Sequence, residues 1–506
     1  MPVSEARRVA TGLCGELGPE TVAAETAAGR YSAGPVWAIR PSPHYRASAM
    51  DGVALRAADT ATAPAPLLFT DIGPDRSPTA GTERPACAVD TGQLIPEWAD
   101  AVVRVEEVSR TEGGYEIGSP VAPGHDIRRP GEDIADGELL FSGGHRITAA
   151  DIGAMLATGV TTVAVVRRPS VALIATGTEI VEPDREPAPG EVVEFNSRMI
   201  AAMVEDWGGR AVRLKAPGGS DQLLGRAIDQ GLAEHDLVCV IAGSSVGKKD
   251  STVEALSARG ELLVHGIKLM PGRPAALASV KGRPLLAIPG YPVSAAMVCR
   301  EIVGPMLTSM LGAPAARGTP PRPGVQALVR RKMPSKTGVE ELVRLRLSTW
   351  DNEFVAIPLA RGAGSIGSLS RADALLRIDA GTQGVDAGAT VEIELLVEPA
   401  YIEMGVTVAG RCPTPLVEVA ERLRRDRPES AGFHLGQVPM SDPDALRALA
   451  AGETHLAVVS KDAVDDTGEL LERPLTGTGL IVLATPAAAR FEPAASLLNA
   501  LAATSG

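Results

Sequence analysis

Between residues 169 and 311 the chain alternates short apolar runs with amphipathic ones, and this rhythm restricts the fold more than any other feature. "PSVALIATGTE", "RAVRLKAPG", "DLVCVIAG" and "PLLAIPG" read as strands, the apolar ones as buried strands; "NSRMIAAMVEDWGG", "SDQLLGRAIDQGLAEH" and "VSAAMVCREIVGPMLTSMLG" read as helices. Strand–helix–strand repetition implies a mostly parallel sheet with helices on both faces, a three-layer α/β domain. Ligands of such sheets sit beyond the C-terminal strand ends. Three strands end there in "ATGTE", "AGSSVGKKD" and "IPGYP", so these loops are expected to share one crevice.

The middle loop looks like a phosphate-binding P-loop and is not one. Gly243 and Gly247 bracket three residues instead of four, and Lys248 is followed by Lys249 instead of Ser or Thr. The ingredients of an anion site remain: exposed backbone N–H groups at a helix start and adjacent positive charge. The chain has only eight lysines, two of them here, and its net charge is −13. That balance argues against nucleic acid or an anionic membrane as partner. The five cysteines are scattered and form no C-x-x-C pair, which points to neither a disulfide framework nor a zinc site. With no signal-peptide pattern and no apolar run of about 18 residues, a cytoplasmic protein is expected.

Outside the α/β region the pattern changes. Residues 1–40 are Ala-rich and helix-permissive, residues 46–145 carry short β-type runs broken by Pro and Gly, and "TAADIGAMLATGV" reads as a helix capped by Thr148 and stopped at Gly159. A Pro/Gly-rich linker, Gly312 to Gly324, leads to strand-like residues 325–400, which suggest a small β-barrel. Residues 405–506 return to α/β.

Seven motifs occur in order: "SAMDGVAL" (48–55), "DTG…PEWADAVVRVEE" (90–107), "RRPGEDI" (128–134), "ATGTEI" (175–180), "GSSVGKKD" (243–250), "MPGRP" (270–274) and "IPGYPVSA" (288–295). Together they resemble the molybdopterin molybdotransferase (MoeA/gephyrin) family over about residues 5–400. The resemblance implies a multidomain α/β plus β chain. Domain I would comprise 1–45 and 146–168, with β-rich domain II (46–145) inserted. The molybdopterin-binding α/β domain III would cover 169–315, and the small β-barrel, domain IV, 316–404. Residues 405–506 would form an extra α/β unit like a periplasmic binding protein. A two-lobed unit of that kind needs roughly 200 residues, so this tail fits one lobe or a shortened version. An elongated homodimer with a cleft between domain III of one subunit and domain II of the other is also implied.

The implied activity inserts molybdenum from molybdate into adenylylated molybdopterin, with release of AMP and a need for Mg²⁺. A pyrophosphate-bearing substrate calls for backbone N–H groups and cations, which Gly243, Ser244, Ser245, Gly247, Lys248, Lys249 and Arg273 can supply. Mg²⁺ takes few carboxylates, for which Glu179 and Asp250 are the candidates. Asp51, Thr91 and Asp133 match family positions. The turns Pro271-Gly272-Arg273-Pro274 and Pro289-Gly290-Tyr291-Pro292, with Ser294 after the second, are expected to approach the ligand closely. Each acid has an ordinary alternative: Asp51 a turn residue, Asp133 a helix cap or turn, Asp250 a helix cap, Glu179 a surface residue. The sequence departs from the family at Ala242, Ser244, Thr178, Tyr291 and Arg273. A scaffold or sensor, a molybdopterin adenylyltransferase, or a non-inserting paralogue are the rival classes; the adenylyltransferase is also a candidate partner.

Overall fold

The computed structural model describes residues 1–62, 66–215, 221–242, 251–313, 324–426, 432–464 and 468–504. They form two compact units. One comprises residues 17–167 with 311–313, the other residues 1–16, 168–310 and 314–506.

In the first unit, a six-stranded sheet runs Ala101–Arg104, Gly52–Leu55, Pro85–Val89, Leu67–Asp71, Gly114–Ile117, Val108–Thr111. Its inner face packs Val53, Leu55, Phe69, Val103 and Ile117. Gly52 is obligatory, since a Cβ there would run into the Val103 carbonyl oxygen. A separate core of Val36, Phe141, Met155, Val163 and Val165 holds the helix Ala149–Ala157. Thr148 caps it in a reciprocal box with Asp151, and Gly159 follows at φ +87°. The helix-permissive reading of residues 1–40 is corrected. The helix covers only Val3–Gly12, and it groups with the other unit. Pro19–Ala23 instead pairs antiparallel with Thr162–Val166, a long-range partner that overrides local helix propensity.

In the second unit, the sheet order is Arg210–Lys215, Ser170–Thr176, Leu237–Ala242, Arg283–Ile288, Ala276–Val280, Glu261–His265. The first four strands are parallel, and Ala276–Val280 runs antiparallel to both of its neighbours. The three interior parallel strands, Ser170–Thr176, Leu237–Ala242 and Arg283–Ile288, are mostly apolar and buried, whereas the edge strand Arg210–Lys215 keeps polar residues exposed. The reversal comes at Lys281-Gly282, where both residues have positive φ (52° and 81°), as a two-residue hairpin turn of primed type requires. The expected helix after "IPGY" runs from Pro292 to Met310 with a π-turn at Cys299–Val303.

Strands Glu340–Trp350, Glu353–Pro358, Gly324–Val329, Thr390–Leu395 and Ala374–Ile378 close into a five-stranded barrel, because the first also pairs with the last. The tail has a five-stranded sheet of its own, ordered His434–Val438, Gly405–Gly410, Leu456–Ser460, Leu480–Ala484, Leu471–Leu475, covered by Thr414–Asp426, Asp442–Ala450 and Glu492–Thr504. It packs on the barrel through polar groups, most of them buried. Ser348 Oγ donates to Glu453 O (2.6 Å), Thr407 Oγ1 donates to Leu347 O (3.1 Å), and Arg331 Nε bonds Glu453 Oε1 (2.5 Å). Arg411 and Ser441 do ordinary work in the tail: Arg411 pairs with Asp442 and Ser441 caps the following helix.

His455 lies at the centre of this junction, fully buried between Trp350 and Phe491. Its Nδ1 accepts from Thr407 N (3.0 Å), so the ring proton is on Nε2, which donates to Thr349 O (2.9 Å). A second proton would face an N–H group, and burial pushes the imidazole down to about 4. Since the folded value is depressed, the fold keeps its full stability above the unfolded value near 6.5 and loses it as pH falls toward 4. Burial lowers His434 as well. His455→Gln is expected to reduce the stability lost between pH 7 and pH 5 by about 2 kcal/mol, read from urea unfolding at the two pH values.

Candidate functional site

The register of the second unit brings several sequence motifs to one edge. Thr176, Ala242 and Ile288 are the C-terminal ends of three adjacent parallel strands, since Thr176 pairs with Ala242 and Ile241 with Ile288. Ala276 starts its strand opposite Ala287, so Pro271–Pro274 approach the same edge from the other chain direction. Glu179, Pro289–Pro292 and Arg273 therefore leave the sheet on one side. The loop between Ala242 and Ser251, with Gly243, Ser244, Ser245, Gly247, Lys248, Lys249 and Asp250, lies outside the described residues.

Glu179 follows Gly177, whose φ of +156° lets the backbone turn while the carboxylate folds back over it; any Cβ at 177 would meet the Glu179 carboxyl within 3.0 Å. Among the described residues no cation or hydrogen-bond donor is bonded to that carboxylate, which is only half-buried. Arg273 is exposed and, among the described residues, has no ion-pair partner. Its carbonyl accepts from Ile267 N (2.9 Å), which fixes the turn. Pro271 and Gly272 are buried. Pro289, Pro292 and Ser294 are buried under the second turn, while Tyr291 stays half-exposed.

That second turn is held from two directions. Val293 N donates to Ala363 O of the barrel (3.0 Å), and Gly364 lies against the Tyr291 ring, where a Cβ would reach it at 3.4 Å. From within the α/β domain, Asn196 Nδ2 donates to Gly290 O at 2.6 Å. The sequence reading missed both contacts. An Asn opening a helix directly after the extended stretch "EVVEF" was the available signal for Asn196.

In the other unit, Asp51 and Thr91, 40 residues apart in sequence, meet directly. Asp51 Oδ1 accepts from both Thr91 N and Thr91 Oγ1 at 2.7 Å. The turn that aims Thr91 is built by Gly92 N donating to Ser48 O (2.8 Å), with Gly92 at φ +82°. Two donors on the charged form, the hydroxyl first, hold the Asp51 carboxyl below the usual carboxylate range. Asp133 is exposed, its N–H bonded to Ser42 O (3.1 Å), and no hydrogen bond joins its side chain to Asp51 or Thr91.

Profiles of three protein regions match the chain: the MoeA N-terminal region (domain I and II) over residues 1–159, a probable molybdopterin binding domain over 172–309, and the MoeA C-terminal region (domain IV) over 326–396. Molybdopterin molybdenumtransferase 2 of Mycobacterium tuberculosis is 32% identical over 358 residues, 68% of this chain and 86% of that protein. The chain belongs to the MoeA family of molybdopterin molybdenumtransferases. Molybdopterin molybdenumtransferase of Bacillus subtilis is 28% identical over 426 residues, 81% of this chain and 97% of its own. A molybdopterin biosynthesis MoeA protein from Pyrococcus horikoshii OT3 superposes with a TM-score of 0.62 at 28% identity, covering 78% of this chain and 99% of that one. As a member of the MoeA family the chain is an enzyme. Among the described residues no helix is long and apolar enough to cross a membrane, and no cluster of three or more His, Cys, Asp or Glu is placed to hold a metal.

The Asp51–Thr91 pair gives a direct test. Thr91→Val removes one of two donors, so the Asp51 pKa should rise toward the ordinary carboxylate value, read by NMR titration of the carboxyl carbon; an unchanged curve would leave the backbone N–H as the sole cause.

Proposed function

We propose that this chain completes the molybdenum cofactor: it binds adenylylated molybdopterin and molybdate, inserts molybdenum at the dithiolene, and releases AMP. The observation that carries this reading is the convergence of Glu179, Arg273 and the Pro289–Pro292 turn on one sheet edge, in a chain of this family.

The residues suit that substrate. Arg273, exposed and free of ion pairs among the described residues, can meet an anionic phosphate with a planar fork. The rigid turns let backbone approach the ligand closely. The donor set also fits Mg²⁺. Glu179 offers a half-buried carboxylate that is unpaired among the described residues, and one or two protein carboxylates supplemented by phosphate oxygens and water are how this ion is commonly held. Glu179 and Asp250 would hold it, and a bound Mg²⁺ would offset phosphate charge during hydrolysis. Asp51, kept ionised by Thr91, would act with Asp133 from domain II. In this reading the enzyme works as a homodimer whose cleft combines domain III of one subunit with domain II of the other, and takes its pterin nucleotide from the adenylyltransferase.

The test is AMP release by purified enzyme given adenylylated molybdopterin, molybdate and Mg²⁺. Glu179→Gln is expected to lower turnover by at least about tenfold and to raise the Mg²⁺ concentration needed for half-maximal rate. No AMP release from the wild type would sink the activity; an unchanged Mg²⁺ dependence in Glu179→Gln would remove Glu179 from the metal site.

A further inference from the structure

Asn196 does more than open a helix. Its amide orientation is settled by chemistry: a carbonyl oxygen can only accept, so the atom 2.6 Å from Gly290 O is the NH₂ group. The other end is then fixed too. Asn196 Oδ1 is buried and, among the described residues, has no hydrogen-bond partner. An unsatisfied buried acceptor is unusual in a folded protein and calls for a donor. This one belongs to a side chain whose other end holds the Pro289–Pro292 turn, at the strand edge that also carries Glu179 and Arg273.

We propose that Asn196 binds substrate through Oδ1, accepting from an N–H or O–H group of the pterin nucleotide, while its Nδ2 fixes the Gly290 turn in the same orientation. This rests on the functional reading above and adds a residue to it. The polarity of Oδ1 selects which part of the substrate it meets. A phosphate presents acceptors only and would be repelled. The ring N–H and amino groups of a pterin, or a sugar hydroxyl, are donors and fit. Asn196 is thus assigned to the donor-bearing part of the ligand, and Arg273 to its phosphates.

The experiment measures binding of molybdopterin and, separately, of AMP to the full-length protein by fluorescence and calorimetry, together with steady-state AMP release. Asn196→Ala removes both ends of the amide. Asn196→Asp keeps an acceptor and removes the donor to Gly290. Loss of one hydrogen bond to the ligand predicts about tenfold weaker binding for Asn196→Ala. If the donor is on the pterin, molybdopterin affinity falls and AMP affinity does not; if it is on the sugar, AMP affinity falls. Either pattern, with KM raised more than kcat is lowered, supports the assignment. A purely structural role would lower the melting temperature while leaving both affinities unchanged, and that result overturns it. Should Asn196→Ala fail to fold, Asn196→Asp decides: an acceptor that still serves the ligand keeps affinity within about threefold even as the turn loosens, whereas equal loss for both ligands argues against a directed contact. A wild-type protein that binds neither ligand would defeat the functional reading itself; a wild type that binds, with variants that bind equally well, defeats this inference alone.

Discussion

The sandwiching of Ser170–Thr176 between two parallel neighbours is the constraint on which the rest of the second unit depends. Its backbone is paired on both sides from Val171 to Ala175, so the strand cannot shift register without breaking both ladders. Leu173 and Ile174 are fully buried, one on each face. With that strand fixed, the parallel neighbours must end on the same side. The strand ends Thr176, Ala242 and Ile288 are then brought to one edge by the hydrogen-bonded register.

Buried ions tie the remaining parts to this frame. Glu301, in the π-turn, is bonded by Arg7 of the N-terminal helix and by Arg377 of the barrel (2.7 Å). Removing a partner from such a carboxylate would leave a charge stranded, so the arrangement specifies which helix and which strand meet. The barrel repeats the device with Arg346 and Asp373, 3.1 Å apart and both nearly buried. Burial raises the Asp373 carboxyl in spite of the arginine beside it. Glu453 with Arg331 does the same for the tail. The tail therefore has its own sheet yet shares an interior with the barrel strand it covers, through Ser348, Thr407 and His455.

Much of this was legible in the chain. The βαβ rhythm, the Thr148 cap, the barrel strands and the loops at strand ends all follow from local rules, because apolar periodicity and turn chemistry act over a few residues. The Lys281-Gly282 turn, where the parallel order reverses, was not read from the sequence, because Lys-Gly is not among the dipeptides that announce a primed turn. The strand at Pro19–Ala23 was not either, because its partner is 139 or more residues away and local composition favours helix.

By itself the sequence determined which residue types are available for the chemistry: the acids, the scarce lysines and the rigid Pro-Gly turns in their order. Tertiary structure alone decided which of them meet. Asp51 finds Thr91 across 40 residues because a sheet edge and a glycine turn aim them at each other. Asp133, as close a motif match in sequence, acquires no such contact. Asn196 carries no motif, yet the close approach of its helix to the Gly290 turn gives it one satisfied hydrogen-bonding end and one that is unpaired among the described residues. The reason is physical: spacing along the chain sets what a loop can offer, whereas hydrogen-bond partners at 2.6–2.7 Å are chosen by packing between segments distant in sequence.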